Sequence, residues 1–124
     1  MKMIVGGAYQ GQLEWAKEQY PNVKWMDGET CSLEEIYICE GIYNFHTLIK
    51  RMLKEQQAVE TFARELIKEN PNLIIVSDEI GYGLVPVDKF DRMYREQVGR
   101  VCTDLAAFSD TVVRVVMGRG VKIK

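Results

Sequence analysis

Apolar runs alternate with amphipathic stretches along the whole chain. Continuous apolar or β-branched runs predict strands, which cover residues 3–5, 23–26, 35–40, 73–77 and 111–117. Apolar side chains at helical spacing predict helices, which cover residues 12–20, 44–70 and 88–108. A break is expected near Gln56 or Gln57, Asp88 is expected to cap the last helix, and residues 118–124 are expected to form a turn and a short tail. This alternation predicts one α/β domain over residues 1–124 with a mostly parallel sheet.

Length and charge narrow the classes of function. The chain has 124 residues and a formal net charge of −2, with no block of Lys and Arg, so no nucleic-acid partner is expected. No apolar run approaches the length of a membrane span, and no signal-peptide pattern precedes the first strand, so a cytoplasmic protein is expected. Cys31, Cys39 and Cys102 lack metal-ligand spacing, and His46 has no second ligand arranged around it, so no metal site is expected.

A glycine-rich segment follows the first predicted strand and precedes the first predicted helix. Gly6 and Gly11 have the spacing of the phosphate-binding motif G-x-x-x-x-G-K-[ST], in the strand–turn–helix context that the motif requires. Gln12 stands where the motif has lysine, and Leu13 stands where it has Ser or Thr. We call residues 6–13 the glycine loop. Its candidate nucleotide- or phosphate-binding residues are Gly6, Gly7, Ala8, Tyr9, Gln10, Gly11, Gln12 and Leu13. Weak anion binding through backbone N–H groups and a purely structural turn both stay open.

Acidic residues follow two predicted strands, at the edge where parallel sheets bind ligands. Glu40 ends the strand predicted at residues 35–40, which is where a Walker-B-like acid is found, although a carboxylate near a helix start is the simpler alternative. Asp78 and Glu79 follow the strand at residues 73–77. Arginines on the next helix supply either phosphate contacts or ion pairs on a helix surface.

Several segments in the same order resemble one enzyme family. The segments are residues 76–86, 95–101, 105–107 and 121–124, together with the glycine loop. They resemble the bifunctional adenosylcobinamide kinase / adenosylcobinamide-phosphate guanylyltransferase family of cobalamin biosynthesis. The loop and helix that match the family contain Asp78, Glu79, Gly81, Gly83, Pro86, Arg95, Gly99 and Arg100, of which all but Asp78 are the family's own residue types. Asp78 replaces the family's usual Asn, and Cys102 and Thr103 replace an Asn-Gln pair.

The resemblance implies a P-loop NTPase-like three-layer α/β sandwich and a homo-oligomer, a trimer. It implies ATP or GTP as the nucleotide, a corrinoid as the second ligand, and two activities, phosphorylation of cobinamide and GMP transfer through a guanylylated histidine. Mg²⁺ binding is expected to be weak because Leu13 has no hydroxyl.

Three departures from the family pattern bear on activity. The family's G-G-A-R-S-G-K-S loop has here Tyr9-Gln10 for Arg-Ser, besides Gln12 and Leu13. The family carries the guanylylated histidine in a longer segment between its second and third strands, and here only residues 27–33 bridge those elements. The family's acid is followed by Cys-x-Thr, whereas residues 41–43 follow Glu40.

Three functions therefore stay open. The first is a divergent family member that lacks guanylyltransferase and efficient kinase activity but binds a nucleotide or another anion. The second is an active nucleotide-dependent cobinamide kinase with an atypical loop. The third is a non-catalytic structural or regulatory protein. Whether the chain is an enzyme is left undecided by the sequence.

Overall fold

The computed structural model describes residues 1–80 and 88–124, and a six-stranded sheet lies at the centre of these residues. The strands are β1 (Lys2–Gly6), β2 (Trp25–Asp27), β3 (Gly41–Tyr43), β4 (Ile74–Asp78), β5 (Thr111–Val116) and β6 (Arg119–Lys122). The helices are α1 (Gln12–Gln19), α2 (Phe45–Lys54), α3 (Phe62–Glu69) and α4 (Lys89–Phe108). The strand order is β2-β3-β4-β1-β5-β6, and only β6 runs antiparallel to its neighbour.

Helices cover both faces of the sheet, and the sheet separates two hydrophobic clusters. Helix α1 covers one face, where Ala16 is fully buried against Ile4 and Val115. Helices α2, α3 and α4 cover the other face, where Leu48, Leu66 and Leu105 are fully buried. Because helices cover both faces of the sheet, the side chains of β4 are apolar in an almost continuous run. The three-layer α/β fold predicted from the sequence is confirmed.

Two local predictions also agree with the structure. The break expected near Gln56 and Gln57 separates α2 from α3. Asp88 caps α4, because its Oδ1 accepts the Phe90 N–H at 2.7 Å.

The strand predicted at residues 35–40 is wrong. Glu35–Tyr37 forms a single turn of 3₁₀ helix, and its backbone bonds are local, with Ile38 N–H donating to Glu35 O at 3.1 Å. Only Ile36 on this turn is buried, whereas Ile38 is exposed, so the alternating apolar pattern does not correspond to one face of a sheet. The strand begins at Gly41, where a Cβ atom would lie 2.8 Å from the Trp25 ring.

The tail predicted after residue 118 is also wrong, because residues 119–122 form β6. Met117 and Gly118 have φ values of 49° and 75°, which are the positive angles of a two-residue type I′ hairpin turn. β6 then pairs with β5, and Val121 lies opposite Arg114.

Residues 1–80 and 88–124 contain neither a membrane-spanning helix nor a cluster of metal ligands. No helix in these ranges is both long and apolar enough to cross a membrane. No group of three His, Cys, Asp or Glu side chains in them is arranged to hold a metal ion.

The hairpin turn supplies a test of the fold. Met117 adopts a left-handed backbone that costs an ordinary residue free energy, and its side chain is 81% exposed. Met117→Asn should raise the free energy of unfolding by about 0.5–1 kcal/mol, because asparagine tolerates this backbone and Asn-Gly favours the turn. Urea denaturation measures the change. Met117→Val should lower stability, and a destabilised asparagine variant would contradict the turn assignment.

Candidate functional site

The order of the strands creates a crevice at one edge of the sheet. β1 lies between β4 and β5, and the chain leaves β1 toward α1 on one face but leaves β4 toward α4 on the other. Such a switch point opens a crevice at the carboxyl ends of the two strands, which is where open α/β sheets bind ligands. Gly6 and Asp78 are registered partners at this edge. The glycine loop and the predicted acidic residues therefore meet here.

The side chain of Gln12 lies inside the glycine loop. It is only 5% exposed, and its Nε2 donates to Gly6 O at 3.1 Å, Gly7 O at 3.0 Å and Asp78 Oδ1 at 2.7 Å. An amide has two N–H donors, so three acceptors use its whole donor capacity. The amide nitrogen therefore bonds to the loop and to β4 and has no donor left for a ligand.

Two other groups in the loop bear on ligand binding. Gly11 precedes α1 with φ of 87°, a left-handed angle that suits glycine, and no side chain caps the helix. Leu13 is half-buried and packs against the core on the α1 face, in the position where a hydroxyl would hold Mg²⁺. The uncapped helix start favours an anion, whereas leucine supplies no metal ligand.

Asp78 joins the glycine loop to α2 through His46. Its backbone N–H donates to His46 Nδ1 at 3.1 Å, and its Oδ2 lies 3.5 Å from His46 Nε2. The Nδ1 atom is therefore an acceptor, and the proton of the neutral ring lies on Nε2, facing the carboxylate. Burial lowers the pKa of His46 below its ordinary value, the Asp78 carboxylate opposes this shift, and Lys50 adds to it. His46 is thus held neutral, and the sequence offered no signal for this contact.

Glu79 lies beside Asp78 and completes the edge of the crevice. Its backbone N–H donates to Gly6 O at 2.7 Å, and its Oε1 lies 3.1 Å from Arg114 Nε. Its Oε2 is buried and has no hydrogen-bond partner within residues 1–80 and 88–124. Gly6 O thus accepts from both Glu79 and Gln12, which ties the start of the loop to β4 and α1.

A pocket of about 290 Å³ opens above the glycine loop. Its described lining includes the carboxylates of Glu14 and Asp78, the amide of Asn44 and the ring of Tyr43, with no Lys or Arg among those lining residues. Tyr9 also lines the pocket, with a left-handed φ of 62° and a fully exposed side chain. The side chains around this pocket therefore add negative rather than positive charge.

A second cavity of about 420 Å³ lies on the other face, between α4 and the ends of β1 and β5. Gly99 and Cys102 line it together with Asp78 and Glu79, and a Cβ atom at Gly99 would meet no atom within 4 Å. Burial raises the pKa of the Cys102 thiol to about 12, so it stays protonated at neutral pH and is not a nucleophile. Most other walls of this cavity are apolar.

The structure does not bring all predicted site residues together. Arg100 Nη2 pairs with Glu96 Oε1 at 2.6 Å on the exposed face of α4, which is the ion-paired surface that the sequence left as an alternative. Arg95 lies on the same helix and makes contacts of its own. Gly81, Gly83 and Pro86 lie outside the described residues.

The position assigned to Glu40 is corrected by the start of β3. Because this strand covers Gly41–Tyr43, Glu40 is an exposed residue before the strand rather than an acid after it, and its carbonyl accepts from Ile74 N–H. Asn44 stands at the carboxyl end of β3 and lines the pocket above the loop.

Comparison with known proteins gives one family. The family model described as cobinamide kinase / cobinamide phosphate guanyltransferase matches residues 39–123. The bifunctional adenosylcobalamin biosynthesis protein CobU of Salmonella typhimurium is 46% identical over 52 residues. The protein of the same name from Escherichia coli is 44% identical over 52 residues. Each alignment covers 42% of this chain and 29% of the relative.

The burial of His46 predicts how stability depends on pH. Because the folded pKa of His46 is lowered, stability should be fully present above the unfolded pKa of about 6.5 and should fall as the pH drops through that value. The slope is at most about 1.4 kcal/mol per pH unit for one proton. Urea unfolding between pH 5 and 8 measures it.

His46→Gln is the matched variant, because His46 is the only histidine of the chain. Glutamine offers an amide oxygen to the Asp78 N–H but does not titrate. The variant should have a flatter profile between pH 5 and 7 than the wild-type protein. Equal slopes in the two proteins would show that His46 is not held neutral by folding.

Proposed function

We propose that this chain, which belongs to the cobinamide kinase / cobinamide phosphate guanyltransferase family, is a divergent member without guanylyltransferase activity or efficient kinase activity. The observation that carries the proposal is the Gln12 amide, which fills the glycine loop where the motif has a lysine. The relatives are named as adenosylcobalamin biosynthesis proteins, so a role in that pathway is part of the proposal.

Electrostatics support the loss of efficient phosphoryl transfer. The motif's lysine neutralises charge on the transferring phosphoryl group, and Gln12 is neutral. The described lining of the pocket brings Glu14 and Asp78 near the same place and supplies no Lys or Arg. Losing one such charged contact costs on the order of 2–4 kcal/mol, or about a hundredfold or more in rate. ATP or GTP with Mg²⁺ would therefore react slowly here.

The connection between β2 and β3 supports the loss of GMP transfer. The family resemblance implies a guanylylated histidine between the second and third strands, and residues 28–40 contain no histidine. His46 lies after β3, and its Nδ1 is occupied by the Asp78 N–H while its Nε2 faces the Asp78 carboxylate. A histidine held in this way is poorly placed to attack a nucleotide.

Binding of a phosphate-bearing ligand without turnover is a second candidate function. It is favoured by the uncapped start of α1 at Gly11, which faces the pocket above the loop. A nucleotide or a corrinoid phosphate would be the ligand. A trimer and a cytoplasmic location remain proposals from the family resemblance, and light scattering of the purified chain tests the first of them.

Restoring the motif tests whether the loop is a latent phosphate site. Gln12→Lys with Leu13→Ser should bind ATP at least tenfold more tightly than the wild-type protein, because it returns a positive charge and a hydroxyl. A ligand at about ten times its Kd adds about 1.4 kcal/mol of stability, which thermal-shift measurement with ATP, GTP and phosphate detects.

Gln12→Met with Leu13→Ser is the matched control, because methionine has similar length and no charge. It should gain no affinity. If the lysine variant also gains none, the glycine loop is only a structural turn. Tight ATP binding with rapid turnover by the wild-type protein would overturn the proposed loss of kinase activity.

Guanylyltransferase activity has a separate test. Wild-type protein incubated with GTP and Mg²⁺ should show no added mass in intact-protein mass spectrometry, because the single histidine of the chain, His46, is mostly buried and faces the Asp78 carboxylate. A stable GMP adduct on the wild-type protein would defeat the proposal. If the adduct disappeared in His46→Gln, it would also identify the residue that carries the GMP.

A further inference from the structure

The outer side of the glycine loop is bonded to the β5–β6 hairpin turn. Gln10 makes both bonds: its backbone O accepts the Gly118 N–H at 2.8 Å, and its side-chain Oε1 accepts the Met117 N–H at 2.8 Å. Both donors are backbone groups, so the amide orientation of Gln10 follows from the chemistry, since only its oxygen can accept. One residue of the loop thus satisfies two adjacent N–H groups of the turn.

Two glycine contacts bring the hairpin and the loop region together at short range. A Cβ atom on Gly11 would lie 3.4 Å from the Cα of Gly118, so loop and turn are in van der Waals contact. A Cβ atom on Gly120 would lie 2.5 Å from the Trp15 ring, so β6 lies directly against α1 one turn after the loop. The hairpin therefore contacts both the loop and the helix that the loop begins.

The conformation of the turn makes the contact specific. Met117 and Gly118 point their N–H groups at Gln10 only because both residues have positive φ, which Met117 adopts at an energetic cost. A strained backbone persists where its surroundings hold it, and the pairing of Val116 with Arg119 and the two bonds from Gln10 hold this one. No part of the contact belongs to the Gln12–Asp78–His46 chain inside the loop.

We propose that Gln10 is a positioning residue through which the β5–β6 hairpin acts as a strap that fixes the conformation of the glycine loop. The loop is then held from inside by Gln12 and from outside by Gln10. Loosening the hairpin loosens the loop, and the reverse also holds, because a coupling between two elements is reciprocal. The strap goes beyond the proposed function, since it concerns the conformation of the loop rather than catalysis or ligand binding.

Amide hydrogen exchange and ¹⁵N relaxation of the ligand-free chain test the strap. Gln10→Met keeps the length of the side chain but removes the acceptor, and Gln10→Glu keeps an acceptor oxygen. In Gln10→Met, the Met117 amide should exchange at least tenfold faster, and the backbone order parameters of residues 8–11 should fall. In Gln10→Glu, the exchange rate of the Met117 amide and the order parameters of residues 8–11 should stay near their wild-type values.

Gln19→Ala is the control for an unrelated change, because Gln19 is an exposed residue at the end of α1. It should alter neither quantity. Gly120→Ala is a second perturbation, applied from β6: its Cβ must displace Trp15, and it should mobilise residues 8–11 without touching Gln10.

Unchanged order parameters at residues 8–11 in Gln10→Met, or a Gln10→Glu variant that behaves like Gln10→Met, would overturn the proposal. Neither readout involves a nucleotide, so failure of the strap and failure of the proposed function are distinguishable.

Discussion

The amide of Gln12 is the contact on which the arrangement of the site depends. It is buried, neutral and shared among the carbonyls of Gly6 and Gly7 and the carboxylate of Asp78. The half-buried carboxylate of Asp78 and the two loop carbonyls need donors, because an unpaired buried polar group costs about 1–3 kcal/mol. Gln12 supplies those donors with no net charge and no ligand. The amide nitrogen is therefore fully used within the chain, whereas the Oε1 of Gln12 is buried without a hydrogen-bond partner among the described residues.

The same contact makes Asp78 the connection between separate parts of the fold. Its carboxylate bonds to α1 through Gln12, and its backbone bonds to His46 on α2. Parallel pairing of β1 with β4 sets Asp78 opposite Gly6, so the acid reaches the loop without any distortion of the sheet. On the outer side of the glycine loop, Gln10 accepts two hydrogen bonds from the β5–β6 hairpin turn. A motif that binds phosphate in other proteins is here filled by contacts within the chain.

Much of the fold could be predicted from local pattern. β4 is apolar on both faces because helices cover both faces, and such a run is visible in the sequence. Asp88 could be identified as a helix cap from its residue type and place. Residues 35–40 misled the prediction, because Ile36 and Ile38 alternate like a strand although only Ile36 is buried. β6 was missed because its partner strand is needed to recognise it: Arg119, Gly120 and Lys122 carry no strand pattern.

The sequence by itself determined the layered α/β class, the family and the substitutions in the glycine loop, because these depend on residue type and spacing along the chain. The tertiary structure alone decided what the substituted residues touch. It brought Gln12 to Asp78 across 66 positions, His46 to Asp78 across 32 and Met117 to Gln10 across 107. Such contacts depend on the strand order and on the register of β1 with β4, and neither can be read from the spacing of residues within a short segment.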